Sequence, residues 1–261
     1  MPVAFERVDV DAVVAVCDDV AAAVAAALKG LSDWGPAGTR PGQYRSDLAA
    51  DAAALEVLSA AGFGVLSEES GVTDPDAELL CVLDPLDGST NASRRIPWYA
   101  TSCCVLDASG PLVALVVNQA TGTRYEARRG GGARRDGEVI HPSTATEIAR
   151  AVIGLSGYPA RYLGWRQYRA LGAVALDLCA VADGSLDGYV DCGVQAHGAW
   201  DYLGGALVCL EAGASVEDAF GRDLTVRSPT ERRTPVAGGS SRLAQALVEA
   251  RVKLTPPSAN R

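Results

Sequence analysis

One stretch constrains this chain more than any other: Leu80, Cys81, Val82, Leu83, Asp84, Pro85, Leu86, Asp87, Gly88, Ser89, Thr90 and Asn91, in that order. An apolar run of strand type ends in two carboxylates three residues apart, and Pro85 stiffens the turn between them. Gly88 then opens a run of small, hydroxylated residues suited to a helix N-terminus. A buried strand followed by such a turn puts acidic side chains at a strand end, where hard divalent cations find the oxygen ligands they require. The N–H groups of Gly88, Ser89 and Thr90 can hold an anion at the positive end of the helix. An isolated D-x-x-D is more often an Asp-rich turn with a helix cap; the strand on one side and the helix start on the other argue against that reading here.

The rest of the chain is compatible with such a site. At 261 residues it can bury a large core without splitting into independent domains. Its net charge of −9 offers no basic surface to nucleic acid or anionic membrane, so neither is expected as a partner. An acidic protein can still bind an anionic substrate if carboxylate-held cations reverse the local field. The seven cysteines form no C-x-x-C pair and most sit in apolar runs, which predicts reduced, buried thiols. With no secretory leader at the start, the expected setting is cytoplasmic. Only two histidines occur, His141 and His197, too few for a His-rich zinc site. The apolar stretch 20–28 is too short to span a bilayer.

Periodicity divides the chain into a strand-rich part and an alternating part. Val13, Val16, Cys17, Val20, Val24 and Leu28 lie at helical spacing, with Gly30 as a stop. Residues 34–43 read as a loop, and Leu55 and Leu58 share a face of a second helix ending near Gly62. Strands are expected at 63–66, 79–83, 101–106 and 112–117, and Asp136–Gly137 carries a hairpin signal. Beyond residue 150 the pattern predicts a strand at 152–155 followed by a helix. It then predicts a helix at 173–181, a strand at 189–192, a helix at 200–212, a strand near 236–237 and a helix at 241–251 capped by Ser240 or Ser241. The tail 253–261 is expected to fray. The pattern is one α+β unit with two subdomains, residues 1–150 and 151–261.

The Asp84–Asn91 string resembles the D-P-[IL]-D-G-[ST]-[TS]-N signature of the inositol monophosphatase superfamily, a group of metal-dependent phosphatases. Upstream, Glu68–Glu69–Ser70–Gly71 is similar to that family's strand ending in G-E-E-S. Downstream, Gly172 to Asp177 with Asp187–Gly188–Tyr189 resembles its substrate-side helix and strand. Ala199–Trp200–Asp201 with Glu211–Ala212–Gly213 resembles its W-D-x-A signature. The similarity runs in order over residues 45–225.

What the resemblance implies is specific. The fold would be a layered α-β-α-β-α sandwich, commonly a homodimer. Mg²⁺, as two or three ions, would be held by Glu68, Asp84, the carbonyl of Leu86, Asp87 and Asp201. Most of these ligands lie in the first subdomain, and Asp201 lies in the second. The substrate would be a small phosphorylated metabolite, with its phosphate at Gly88, Ser89 and Thr90 and its hydroxyls at Gly172, Ala173, Val174 and Asp191. Ser89 and an upstream aspartate would activate the attacking water, with Glu68 also assigned to the catalytic set. That aspartate is Asp47 or Asp51, and either could instead cap a helix. About three extra residues around Gln195 include His197, which reads more as a plain loop residue than as a substrate contact. Arg169 is a structural or substrate contact, and Arg94 and Arg95 read as a solvated turn. The activity implied is inositol monophosphatase-like. Fructose-1,6-bisphosphatase, histidinol-phosphatase and nucleotide 3′-phosphatase activities are alternatives, and a catalytically silent metabolite-binding relative is the rival of another class.

Overall fold

The strand β3 (Leu80–Asp87) is buried along its whole length, and its neighbours β4 (Ala100–Asp107) and β5 (Gly110–Asn118) are buried over most of theirs. Side chains alternate across a strand. Leu80, Val82, Cys104, Leu106, Ala114 and Val116 therefore enter one core, while Cys81, Leu83, Cys103, Val105, Val113 and Leu115 enter another. A sheet that is apolar on both faces must be covered on both.

The computed structural model describes residues 8–193 and 197–254. With β1 (Gly64–Ser67), β2 (Gly71–Thr73), β6 (Arg124–Arg128), β7 (Gly132–Arg135) and β8 (Glu138–Val139), these strands form an eight-stranded sheet in the order β2-β1-β3-β4-β5-β6-β7-β8. Within it only β1 and β3 pair in parallel. One face is covered by α1 (Val10–Gly30), capped by Asp9, and α2 (Arg45–Ala60). The hairpin signal at Asp136–Gly137 is the β7–β8 turn, where both residues take positive φ.

A second sheet, in the order β10-β9-β11-β13-β12, contains β9 (Val152–Ser156), β10 (Gln167–Arg169), β11 (Gly188–Asp191), β12 (Ser215–Asp218) and β13 (Pro235–Gly238). Between the two sheets lie α4 (Val174–Ala182) and α5 (Ala199–Ala212), and α6 (Ser241–Val252) covers the outer face of the second. The result is the expected α-β-α-β-α layering. Ser240, not Ser241, caps α6 by accepting from the Leu243 N–H. A Cβ on Gly205 would meet the Ala175 carbonyl and Leu178 at 2.7 Å, so α5 and α4 touch backbone to backbone there.

One expectation fails. No helix follows β9; residues 157–166 form an irregular crossover leading into the short strand β10. Gly157, Pro159 and Gly164 break the helical pattern in that segment, and Gly157 and Gly164 take positive φ. The tail beyond residue 254 and the insertion at 194–196, including Gln195, lie outside the described residues. Among the described residues no helix is long and apolar enough to cross a membrane.

Candidate active site

Three elements bring their ends together. The chain leaves β1 at Ser67 and delivers Glu68; β3 ends in Asp84 and Asp87; and α5 carries Asp201 at its third position. Pairing of β3 with β4 shifts register between Asp84 and Asp87, so three steps on β3 oppose two on β4. Such a bulge re-aims side chains at a strand end. The Thr101 hydroxyl fixes it by donating to the Pro85 carbonyl at 3.0 Å. Glu68, Asp84 and Asp201 each offer an oxygen within 4.8 Å of the others.

Each carboxylate is held in place. Asp84 accepts from the Leu86 N–H at 3.0 Å, Asp87 from the Ala175 N–H at 2.7 Å, and Asp201 from the Gly198 N–H at 2.7 Å. Asp87 thus ties the end of β3 to the first turn of α4. Burial drives the Asp84 and Asp87 carboxyls well above their ordinary range, and repulsion within the cluster adds to it. Glu68 rises to about 8 through burial and then through the charges of Asp201, Glu69 and Asp47. An all-oxygen donor set crowded with like charge is what a hard divalent cation neutralises. The residues present therefore fit Mg²⁺.

Asp47 and Asp51, one turn apart on α2, have separate duties. Asp51 accepts from Ser67 at 2.5 Å and Ser70 at 3.3 Å, bracing the turn that presents Glu68. Asp47 accepts from the Tyr44 N–H at 2.8 Å through Oδ2, and its Oδ1 is buried with no hydrogen-bond partner. Burial lifts the Asp47 carboxyl to about 6; the nearby Ser89 hydroxyl works against that rise but stops short of a hydrogen bond. The adjacent Glu69 is held by Arg40 at 2.6 Å and by Gln43.

Gly88 starts the short helix α3 (Ser89–Ser93) with φ at +83°, and a Cβ there would meet Ala173, the Trp98 carbonyl and the Gly172 carbonyl at 3.0–3.1 Å. The first amides of α3, those of Ser89 and Thr90, lack intrahelical acceptors by position. Asn91 closes this corner by donating to the Trp98 and Leu171 carbonyls, both at 2.7 Å. Gly172 is exposed beside α3, while Ala173 and Val174 are buried at the start of α4. Arg94 and Arg95 are exposed after α3.

Two residues differ from expectation. Asp191, expected to face the substrate's hydroxyls, is fully buried; its Oδ1 accepts from the Gly193 N–H at 2.7 Å and its Oδ2 finds no partner. His197 is not a plain loop residue. Its ring is wedged between two carboxylates, Nε2 lying 3.5 Å from Asp191 and Nδ1 3.5 Å from Asp201, with Ser156 Oγ 3.2 Å from Nε2. Burial opposes its charge, but Asp191 and Asp201 outweigh that and push it up to about 10. The one sequence signal for this is the i,i+4 spacing of His197 and Asp201 in a chain with two histidines. A third buried acid, Asp177, accepts from the Trp98 indole N–H at 2.8 Å.

The sequence profile of the inositol monophosphatase family matches residues 44–255. The chain belongs to that family. Over 210 residues it is 35% identical to the fructose-1,6-bisphosphatase/inositol-1-monophosphatase of Thermococcus kodakarensis, covering 78% of this chain and 80% of that protein. It is 31% identical over 193 residues to the Nus factor SuhB of Escherichia coli, covering 67% and 71%. Among solved structures, an extragenic suppressor of Pyrococcus furiosus superposes with a TM-score of 0.80 at 27% identity, over 91% of this chain and 99% of that one. The family fold and the acidic cluster together make this a metal-dependent phosphatase scaffold.

Proposed function

We propose that this protein is a Mg²⁺-dependent phosphomonoesterase acting on a small polyol or sugar phosphate, with inositol monophosphatase-like activity. The observation that carries the reading is the convergence of Glu68, Asp84 and Asp201 within 4.8 Å, with Asp87 repelled by Asp201 in the same patch. Glu68, Asp84, the Leu86 carbonyl, Asp87 and Asp201 would hold two or three ions. Bound there, Mg²⁺ supplies Lewis acidity toward the attacking water and the leaving oxygen.

The chain's own groups do the rest. The amides of Gly88, Ser89 and Thr90 hold the non-bridging phosphate oxygens as charge builds on them. The Ser89 hydroxyl orients the attacking water, whose proton passes by way of that hydroxyl to Asp47. The unpartnered Oδ1 of Asp47 and the engagement of Asp51 by two serines favour Asp47 for this role. Gly172, Ala173 and Val174 form the substrate's hydroxyl side, and Asp191 acts there through His197. We place the enzyme in the cytoplasm as a homodimer; the seven free cysteines agree with a reducing compartment.

The second reading is a catalytically silent relative that binds a metabolite or a partner, and one relative of this chain is named as a Nus factor. Phosphate release with Mg²⁺ from inositol 1-phosphate, fructose 1,6-bisphosphate, histidinol phosphate and 3′-phosphoadenosine 5′-phosphate separates the two. One substrate hydrolysed at least about tenfold better than the others names the branch. No release from any of them by folded, Mg²⁺-loaded protein favours the partner-binding reading.

A further inference from the structure

The first turn of α2 starts on an unusual cap. Helix N-caps favour Ser, Thr, Asp or Asn, whose short side chains accept from the first free amides. Tyr44 holds that position in α2 with extended backbone, φ −106° and ψ 162°, and its side chain makes no cap bond. Asp47 reaches back instead and accepts from the Tyr44 N–H at 2.8 Å. The phenol points elsewhere: its hydroxyl lies 3.3 Å from Thr90 Oγ1, in the first turn of α3. Tyr44 belongs to none of the hydrophobic clusters among the described residues, so core packing does not account for the ring.

This one residue therefore links the two members of the proposed water-activating pair. Its N–H orients Asp47 through Oδ2, leaving Oδ1 buried with no hydrogen-bond partner. Its hydroxyl meets Thr90, the neighbour of Ser89. Helix α3 has only five residues, too few to hold its place by its own helical bonds. Tyr44, by contrast, is anchored. It pairs with Pro36 in an isolated antiparallel bridge, and the next amide, that of Arg45, donates to the Gly35 carbonyl at 3.0 Å.

We propose that Tyr44 is a positioning residue: its hydroxyl, held on Thr90, braces α3 against α2 and fixes the distance across which Asp47 Oδ1 and the Ser89 hydroxyl act on the attacking water. The proposal rests on the reading of Asp47 and Ser89 as that pair, and adds to it the residue that sets their spacing. Misplacing reacting groups by about 1 Å costs on the order of 100-fold in rate. A surface hydroxyl can therefore contribute to the rate without touching substrate.

The test uses the full, Mg²⁺-loaded chain as wild type, Tyr44→Phe, Thr90→Val and the double variant, each checked by a thermal melt. With the substrate that the wild type hydrolyses best, Tyr44→Phe should lower kcat about tenfold while KM and the Mg²⁺ Kd from calorimetric titration hold. A ring whose loss merely loosened the site would move all three. The double variant should lose no more than the worse single one, because both changes remove the same contact. Hydrogen exchange read by mass spectrometry should rise together over residues 44–51 and 88–93 in Tyr44→Phe and match wild type elsewhere. A kcat within about twofold of wild type, a KM or Mg²⁺ Kd that shifts as far as kcat does, or losses that multiply in the double variant overturns the proposal. No phosphate release by the wild type from any of the four substrates defeats the phosphatase reading, and exchange then decides the brace by itself: joint loosening of the two segments keeps it, and unchanged exchange overturns it.

Discussion

A carboxylate at 1% exposure costs several kcal/mol to keep ionised unless a cation or enough donors compensate it, and Asp84 has one backbone N–H while facing Glu68, Asp87 and Asp201. In the absence of metal this residue is a source of repulsion; in the proposed role it becomes a ligand once metal is bound. Asp84→Asn is therefore expected to act in opposite directions on two readouts. The metal-free protein should melt at a higher temperature than wild type, and Mg²⁺-dependent phosphate release should fall at least about 100-fold. A calorimetric melt with chelator and a phosphate assay check the two halves. In its proposed role as proton acceptor, Asp47 would set the pH dependence. Its carboxyl is lifted by burial to about 6, and it accepts a proton only when ionised. Thus kcat/KM should fall as pH drops through about 6, roughly tenfold per unit below it. Asp47→Asn should lose most of the activity and, in what remains, that acid limb; a pH profile of both proteins is the measurement.

At the scale of elements, the site depends on how tightly α3, α4 and β3 meet. Gly88 is the hinge of that contact because its φ of +83° and its three close neighbours both exclude a side chain. Gly88→Ala should cost about 2–4 kcal/mol of stability, from the left-handed backbone and the overpacking together, and should move Ser89 off its post. Urea denaturation measures the first effect and kcat the second. Several framing elements are legible in the sequence because each has a strong local cause. In β3 that cause is an unbroken apolar run; in α1 it is 3.6-residue spacing; in the β7–β8 turn it is Asp136–Gly137. The strands β2, β10 and β12 are not legible in that way. They are three or four residues long and partly exposed at sheet edges, where pairing partners and not side-chain pattern decide the conformation. The absence of a helix after β9 has a legible cause in Gly157, Pro159 and Gly164, which apolar periodicity alone overlooks.

At the scale of the whole molecule, the five layers put carboxylates from the first sheet and from α5 into one cluster, so in the proposed function a bound metal would tie the first sheet to α5. Saturating Mg²⁺ should stabilise the folded state by about 3 kcal/mol at a hundredfold excess over Kd, a shift of a few degrees in Tm that Asp84→Asn abolishes. Differential scanning calorimetry checks this. The carboxylates of the site are legible because the motifs fix residue type and order together. The roles of His197 and Asp191 are not, since they follow from a three-dimensional wedge: the ring of His197 is pinned by Ser156 from β9, Asp191 from β11 and Asp201 from α5. No linear spacing encodes three partners that lie between 4 and 41 residues away along the chain, although the i,i+4 pair with Asp201 hints at one of them.

The central claim is that the cluster of Glu68, Asp84, Asp87 and Asp201 makes this a Mg²⁺-dependent phosphatase. It is tested most directly by the rate of phosphate release from inositol 1-phosphate by the wild-type protein, with Mg²⁺ and with chelator, beside Asp84→Asn. Release that requires Mg²⁺ and is lost in the variant is the result predicted here. Release that is unaffected by chelation, or that survives in Asp84→Asn at the wild-type rate, would contradict it.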